Sequence, residues 1–217
     1  IDVSNEVLER LDKMKVSYRL IEKSQNVDLE RNYVKLPSGI YVSRQRMLQG
    51  KDWFEAHEGL QSQGNRMITM LEFVELLKYS RQNDSKLYND MTQVRVPWRA
   101  EWIDADFKIV NGKIRINSGH VYENGRLVPN YSQPLDKDTL MEDKTPGISL
   151  DSWLENPTSQ GLPRKNVKKG NLYYWNPGSD NNSVAGFSAD SVGALLYCLG
   201  DPSYRNSDLG VRAIRRE

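Results

Sequence analysis

Few residues in this chain combine a reactive side chain with a setting that could use it. His57 and His120 could serve as acids, bases or metal ligands, but they lie far apart and neither belongs to a metal-binding or catalytic spacing. Each therefore reads as a surface histidine or an internally satisfied one. Glu101, Asp104 and Asp106 crowd enough carboxylate together to hold calcium. Their spacing is not that of a calcium loop, so a solvated or capping role is expected. Cys198 alternates with Leu196 in an apolar run, which makes it a small buried hydrophobe; a nucleophilic thiolate needs an exposed, electropositive setting. No phosphate-cradling glycine loop and no Ser-His-Asp logic stands out. The reading is of a protein that is not an enzyme, with no catalytic residue, no metal site and no cofactor.

The bulk properties narrow the partners. Among 217 residues, 38% are hydrophobic, enough for one substantial core. Lys and Arg number 30 against 29 Asp and Glu, so no global field recruits nucleic acid or an anionic membrane. Binding must come from a local site. The single cysteine excludes an intrachain disulfide and a multi-cysteine zinc site. No apolar run approaches the ~20 residues that span a bilayer, and the opening IDVSNEVLERL does not read as a signal peptide.

A local site is suggested by the last stretch, Asn171 to Glu217, where two residue sets interleave. Phe187, Ala189, Ser191, Ala194, Leu196, Cys198, Leu209, Gly210, Val211 and Arg212 look built for a core. Between and around them stand Gly186, Ser188, Asp190, Val192, Gly193, Leu195, Tyr197, Leu199, Gly200, Asp201, Ser203, Tyr204 and Asp208, which share no chemistry. Alternation of this kind belongs to an extended chain with one face in and one out. A solvated face would be uniformly polar; this one mixes tiny, acidic, aliphatic and aromatic residues. Tyr173 and Tyr174 must face opposite ways, and Tyr174 joins the outward set as a candidate contact.

Other elements must hold that ribbon. Ser4 to Lys15 reads as a short helix with Val7, Leu11 and Met14 on one face. Tyr33 to Ser43 is a hairpin around Pro37-Ser38-Gly39. Arg44 to Arg66 resists assignment. Thr69 and Glu72 form a capping box that opens a helix with Met70, Phe73, Val74, Leu76 and Leu77 as its buried face. A shorter helix is possible after Ser85. Trp98, Trp102 and Phe107 read as core anchors. Asn111-Gly112 and Asn124-Gly125 mark two hairpin turns, giving a meander of inserted hairpins over about 107–128, a solvent-edged insertion or a sheet flank. A turn-rich stretch with one short helix, Leu150 to Glu155, leads to the strands LYYW, SVAGF, ALLYCL and LGVRAI. Short helices with scattered short strands make the fold class α+β.

The frame Trp175-Asn176, Ser183-Val184-Ala185, Phe187, Ala189, Cys198, Pro202, Arg205-Asn206 and Leu209-Gly210-Val211-Arg212 resembles the end of the C-type lectin fold of formylglycine-generating enzymes and their relatives. More specifically, the interleaved ribbon is similar to the variable proteins of diversity-generating retroelements. EWIDADF, DKTPGISLDSWLEN, QGLPRKN and the LGVR ending look like the archaeal and archaeal-virus members. The resemblance implies a C-type lectin domain over 33–217, behind an N-terminal helical extension over 1–32, with a variable region over about 171–217. It implies a non-enzymatic, hypervariable protein on a virion or cell surface that binds a protein or glycan of a target cell. The enzymes of that fold use a cysteine pair, and Cys198 stands alone. A formylglycine-generating-type enzyme and a calcium-dependent carbohydrate-binding lectin are the alternatives.

Overall fold

The computed structural model describes residues 31–178 and 182–215. The helix expected at Ser4 to Lys15 lies outside them. Among the described residues the architecture is α+β: four helices pack on two sheets.

The first hairpin forms as its turn sequence requires, β1 (Tyr33–Lys35) against β2 (Tyr41–Ser43). The stretch that resisted assignment contains helix α1 (Trp53–Ser62). Its start signal was present: Asp52 accepts from the Glu55 amide, and the Glu55 side chain reaches back to the Asp52 amide. A reciprocal cap of this kind contributes about 1 kcal/mol. Beyond the two-residue β3 (Arg66–Met67), helix α2 (Met70–Asn83) opens on the Thr69–Glu72 box and buries all five of the expected residues. Helix α3 (Ser85–Thr92) follows, capped by Asp84.

The long strand β4 (Arg99–Val110) is the middle of the molecule. It turns at Asn111-Gly112 into β5 (Lys113–Glu123), which turns at Asn124-Gly125 into β6 (Arg126–Pro134). Both turns have positive φ at both central residues, the type I′ geometry that Asn-Gly favours. Of the two readings, the hairpins form the flank of the main sheet rather than an insertion, because β4 itself continues into the sheet centre. There it pairs with β9 (Ser183–Ala189) on one side and with β11 (Leu209–Val211) near its start. The eight-stranded sheet runs β6-β5-β4-β9-β10-β8-β7, with β7 at Lys144–Ile148, β8 at Leu172–Trp175 and β10 at Ala194–Gly200. Helix α4 (Leu150–Glu155) sits behind its Ser149 cap as read from sequence. The last strand, β12 (Ala213–Arg215), returns to the small sheet between β2 and β3.

Two hydrophobic clusters cover the two faces of β4. One holds Phe73, Leu77, Ile103, Phe107, Trp153, Phe187, Leu196 and Cys198. The other holds Trp53, Ala56, Leu60, Trp102, Leu209 and Val211. Trp102 and Phe107 are anchors as expected, whereas Trp98 is only partly buried beside the second cluster.

Arg212 stands at the break between β11 and β12 and is completely buried. Its guanidinium donates to the Ser43 and Arg44 carbonyls at 3.0 and 2.6 Å, and Nε meets Glu101 at 2.5 Å. Glu101 also accepts from Arg99 at 3.0 Å, and Arg99 pairs with Asp90 at 2.8 Å. The β11–β12 junction is thus held by Arg99, Glu101 and Arg212, whose charges have no water to fall back on. Arg212→Met strands part of the Glu101 charge and should cost about 3–5 kcal/mol in urea unfolding; a loss within the range of an ordinary surface change would refute the role of this network.

Candidate functional site

Strand register decides which face of the ribbon meets solvent. Beside one another on one side of the sheet lie Leu195 and Tyr173, then Tyr197 and Trp175, through the parallel pairing of β10 and β8. On the other side, Tyr174, Leu196, Cys198 and Phe187 enter the main core. Tyr173, Leu195, Tyr197 and Leu199 are half-buried, and Trp175 is 44% exposed. The result is a surface strip of aromatic and aliphatic side chains on a rigid strand pair.

Two loops rim this strip, and each is pinned by its own side chains. At one end Asp190 accepts from the Val192 and Gly193 amides at 2.8 and 3.3 Å, leaving Val192 60% exposed. At the other end Asp201 accepts from the Ser203 amide and hydroxyl at 2.9 and 2.7 Å, and Asn206 accepts from the Asp208 amide at 2.8 Å. Tyr204, 47% exposed, stands on that second loop. Arg205 ties the loop to helix α1 by pairing with Asp52 and Glu55 at 2.8 and 3.2 Å. Past Val192 and Tyr173 the strip opens into a groove of about 720 Å³ that also takes in Tyr88, Val94 and Leu150.

The expected outward set needs correction at three positions. Tyr174 is fully buried and its hydroxyl donates to the Leu140 carbonyl at 2.9 Å, so it is a core residue. Gly186 and Ser188 are buried because β9 lies between β4 and β10 with both faces covered. The Tyr197 hydroxyl lies directly over Gly186: a Cβ there would sit 2.2 Å from it. Val192, Asp201, Ser203 and Tyr204 are exposed, while Asp190, Gly193, Leu195, Tyr197, Leu199, Gly200 and Asp208 are half-buried. Two residues assigned as supports are also displaced: Ser191 is exposed, and Trp175 is part of the open strip. Alternation in LYYW gave the two parities of Tyr173 and Trp175 against Tyr174, but nothing local says which parity is covered.

Cys198 is buried as its pattern implied, and burial, reinforced by Asp143, pushes its thiol well above the usual range. It is a core side chain with no access to solvent.

Of the two expectations for the histidines, surface or internal, the internal one holds, and the two rings come together although they lie far apart in the sequence. His57 on α1 and His120 on β5 converge, with ring centroids 5.5 Å apart, and both are buried. Glu101, Asp104 and Asp106 are buried as well rather than solvated. Asp104 lies between the imidazoles: its Oδ1 is 2.5 Å from His120 Nδ1 and 3.7 Å from His57 Nε2. Its Oδ2 accepts from the Gly119 and His120 amides at 2.9 and 3.2 Å. Gly119 makes this possible, because its φ of +69° reorients the β5 backbone just beyond the point where β4 and β5 stop pairing at Asp106 and Asn117. On the far side of His120, Nε2 is 3.6 Å from Asp106. Burial lowers the His57 pKa to about 4 despite Asp104. Burial acts on His120 in the same direction, but its hydrogen bond to Asp104 and the negative charges of Asp104 and Asp106 raise it to about 9. His57, Asp104 and His120 are the described residues grouped closely enough to hold a metal ion.

No protein-family model matches this chain, and neither the curated proteins nor the solved structures provide a match. Among the described residues, no helix is long and apolar enough to cross a membrane.

The contact of Tyr197 with Gly186 yields a pairwise expectation. Gly186→Ala forces the tyrosine off its seat and should destabilise by about 1–3 kcal/mol, while the same change in a Tyr197→Ala background should cost far less. A double-mutant cycle in chemical denaturation measures the coupling; additive effects would contradict the packing described.

Proposed function

We propose that this is a non-enzymatic, hypervariable ligand-binding protein, built on a C-type lectin scaffold and carried on a virion or cell surface, whose C-terminal region is rewritten by a retroelement. The observation that carries the reading is the open strip and its two loops. Eleven of the fourteen candidate contacts, those other than Tyr174, Gly186 and Ser188, reach its surface wholly or in part. The backbone beneath them is held by residues of the other set, Phe187, Leu196, Cys198, Leu209, Val211 and Arg212, all buried.

This division of roles is what diversification requires. Each fully buried large apolar side chain in the support contributes roughly 1.5–3 kcal/mol, whereas surface substitutions usually move stability by no more than about 0.5 kcal/mol. Side chains on the strip can therefore change without unfolding what carries them. Asp190 and Asp201 add a qualification. Each closes its own loop turn, so these positions favour Asp, Asn or Ser and vary within a narrower set. Tyr173, Trp175 and Tyr204 supply the rigid amphipathic surface typical of paratopes, and a protein or glycan on a target cell is the ligand class that such a strip suits. The RNSDLGVR sequence behind the resemblance supplies the second rim loop and then β11 alongside β4, which supports the same reading.

The genomic test is direct. A near-copy of the 3′ coding segment should lie beside a reverse-transcriptase gene and differ from it mainly at adenines; a locus without such a repeat would overturn the proposal. The protein test is a pooled replacement of Val192, Leu195, Ser203 and Tyr204, which should leave the melting temperature nearly unchanged, while Phe187→Ala should cost about 3–5 kcal/mol. Comparable losses in the two would mean that the strip is structural.

A further inference from the structure

We infer that His57, Asp104 and His120 form a binding site for one divalent transition-metal ion, zinc by preference, that pins helix α1 to strands β4 and β5. The three ligand atoms come from three different elements and lie within 4.8 Å of one another in a fully buried setting. Two imidazoles and a carboxylate form a donor set that suits zinc among the divalent ions.

Unsatisfied atoms point the same way. His57 Nε2 is buried and has no hydrogen-bond partner, although it faces Asp104 at 3.7 Å. A buried imidazole nitrogen without a partner costs about 1–3 kcal/mol, and a metal ion at the centre of the three groups removes that cost. Asp104 is already aimed: two backbone amides hold Oδ2, which leaves Oδ1 for the histidines. Ligand atoms around a tetrahedral zinc are roughly 3.3 Å apart. The His57 separation is close to that, and the His120 separation of 2.5 Å has to open by less than an ångström as the ion replaces the proton between the two groups.

The surroundings resemble a metal site's outer layer. Asp106 Oδ1, also buried and without a hydrogen-bond partner, lies 3.6 Å from His120 Nε2. A carboxylate behind a ligating imidazole orients the ring and strengthens it as a donor. The Trp53 ring stands edge-on to both histidines, at 4.3 and 4.9 Å, and closes the site with apolar surface. On the other side, Asp104 and Gly119 border an open groove of about 880 Å³ with Arg66, Thr69 and Tyr131, while neither histidine lines it. Three protein ligands leave one coordination position to water, but the location under the second core cluster assigns the ion a role in holding the scaffold.

The test uses the full chain, purified without chelator and then reconstituted with zinc or with cobalt. Elemental analysis should find about one ion per chain, cobalt should give the visible bands of a four-coordinate nitrogen and oxygen site, and a strong chelator should lower the melting temperature. His57→Ala keeps the Asp104–His120 pair yet should lose the ion, and Asp106→Asn should bind it about ten- to a hundredfold more weakly. If His57→Ala does not fold, cobalt titration of the chelator-stripped wild-type chain decides the matter. Wild-type protein that takes up only a small fraction of an ion after reconstitution, with an unchanged melting temperature, would mean that Asp104 and His120 share a proton and nothing more. Full metal content in folded His57→Ala would place the ion elsewhere and equally overturn the site.

Discussion

Strand β4 carries Arg99, Glu101, Asp104 and Asp106 through the middle of the protein, and the rest of the fold is arranged around the need to compensate them. Alternation along the strand sends Arg99 and Glu101 to one face, and Asp104 and Asp106 to the other. Arg212 and Asp90 complete the first group. The two histidines and two backbone amides attend to the second. Charges this deep are tolerated only when paired and hydrogen-bonded, so α1, α3, β5 and the final turn of the chain are each tied to the same strand.

That arrangement explains how the C-terminal ribbon can be both fixed and open. β9 is locked between β4 and β10, and its two faces are filled. β10 and β8 lie farther out, so Tyr173, Trp175 and Leu195 remain at the surface, while the Tyr197 ring packs over Gly186 against the second core cluster. Each loop that rims the strip is closed by its own aspartate, and the second is also anchored through Arg205 to the capped start of α1. A ligand bound to this strip, as proposed, would cost it little conformational freedom, which is the physical basis of preorganisation.

Much of the local structure was legible. Asn111-Gly112 and Asn124-Gly125 marked two turns that only a few residue pairs can make, and Thr69 with Glu72 marked the start of α2. The same capping logic at Asp52 and Glu55 was overlooked because Trp53, Phe54 and His57 stand in a polar background without a clear stripe. The candidate site was legible by parity alone. Tyr174 and Trp175 were each assigned to the wrong side, since period-2 alternation separates neighbours without saying which neighbour is covered.

The sequence by itself determined the α+β class, the turns, the caps, the interleaving of the last ribbon and the burial of Cys198, all of which depend on residues within a few positions of one another. Tertiary structure alone decided that Gly186 and Ser188 are enclosed, that Trp175 is open, and that His57 meets Asp104 and His120. The reason is that both enclosure and convergence are set by strand order and by what packs across a face. Those contacts join positions far apart in the chain, and no local period encodes them.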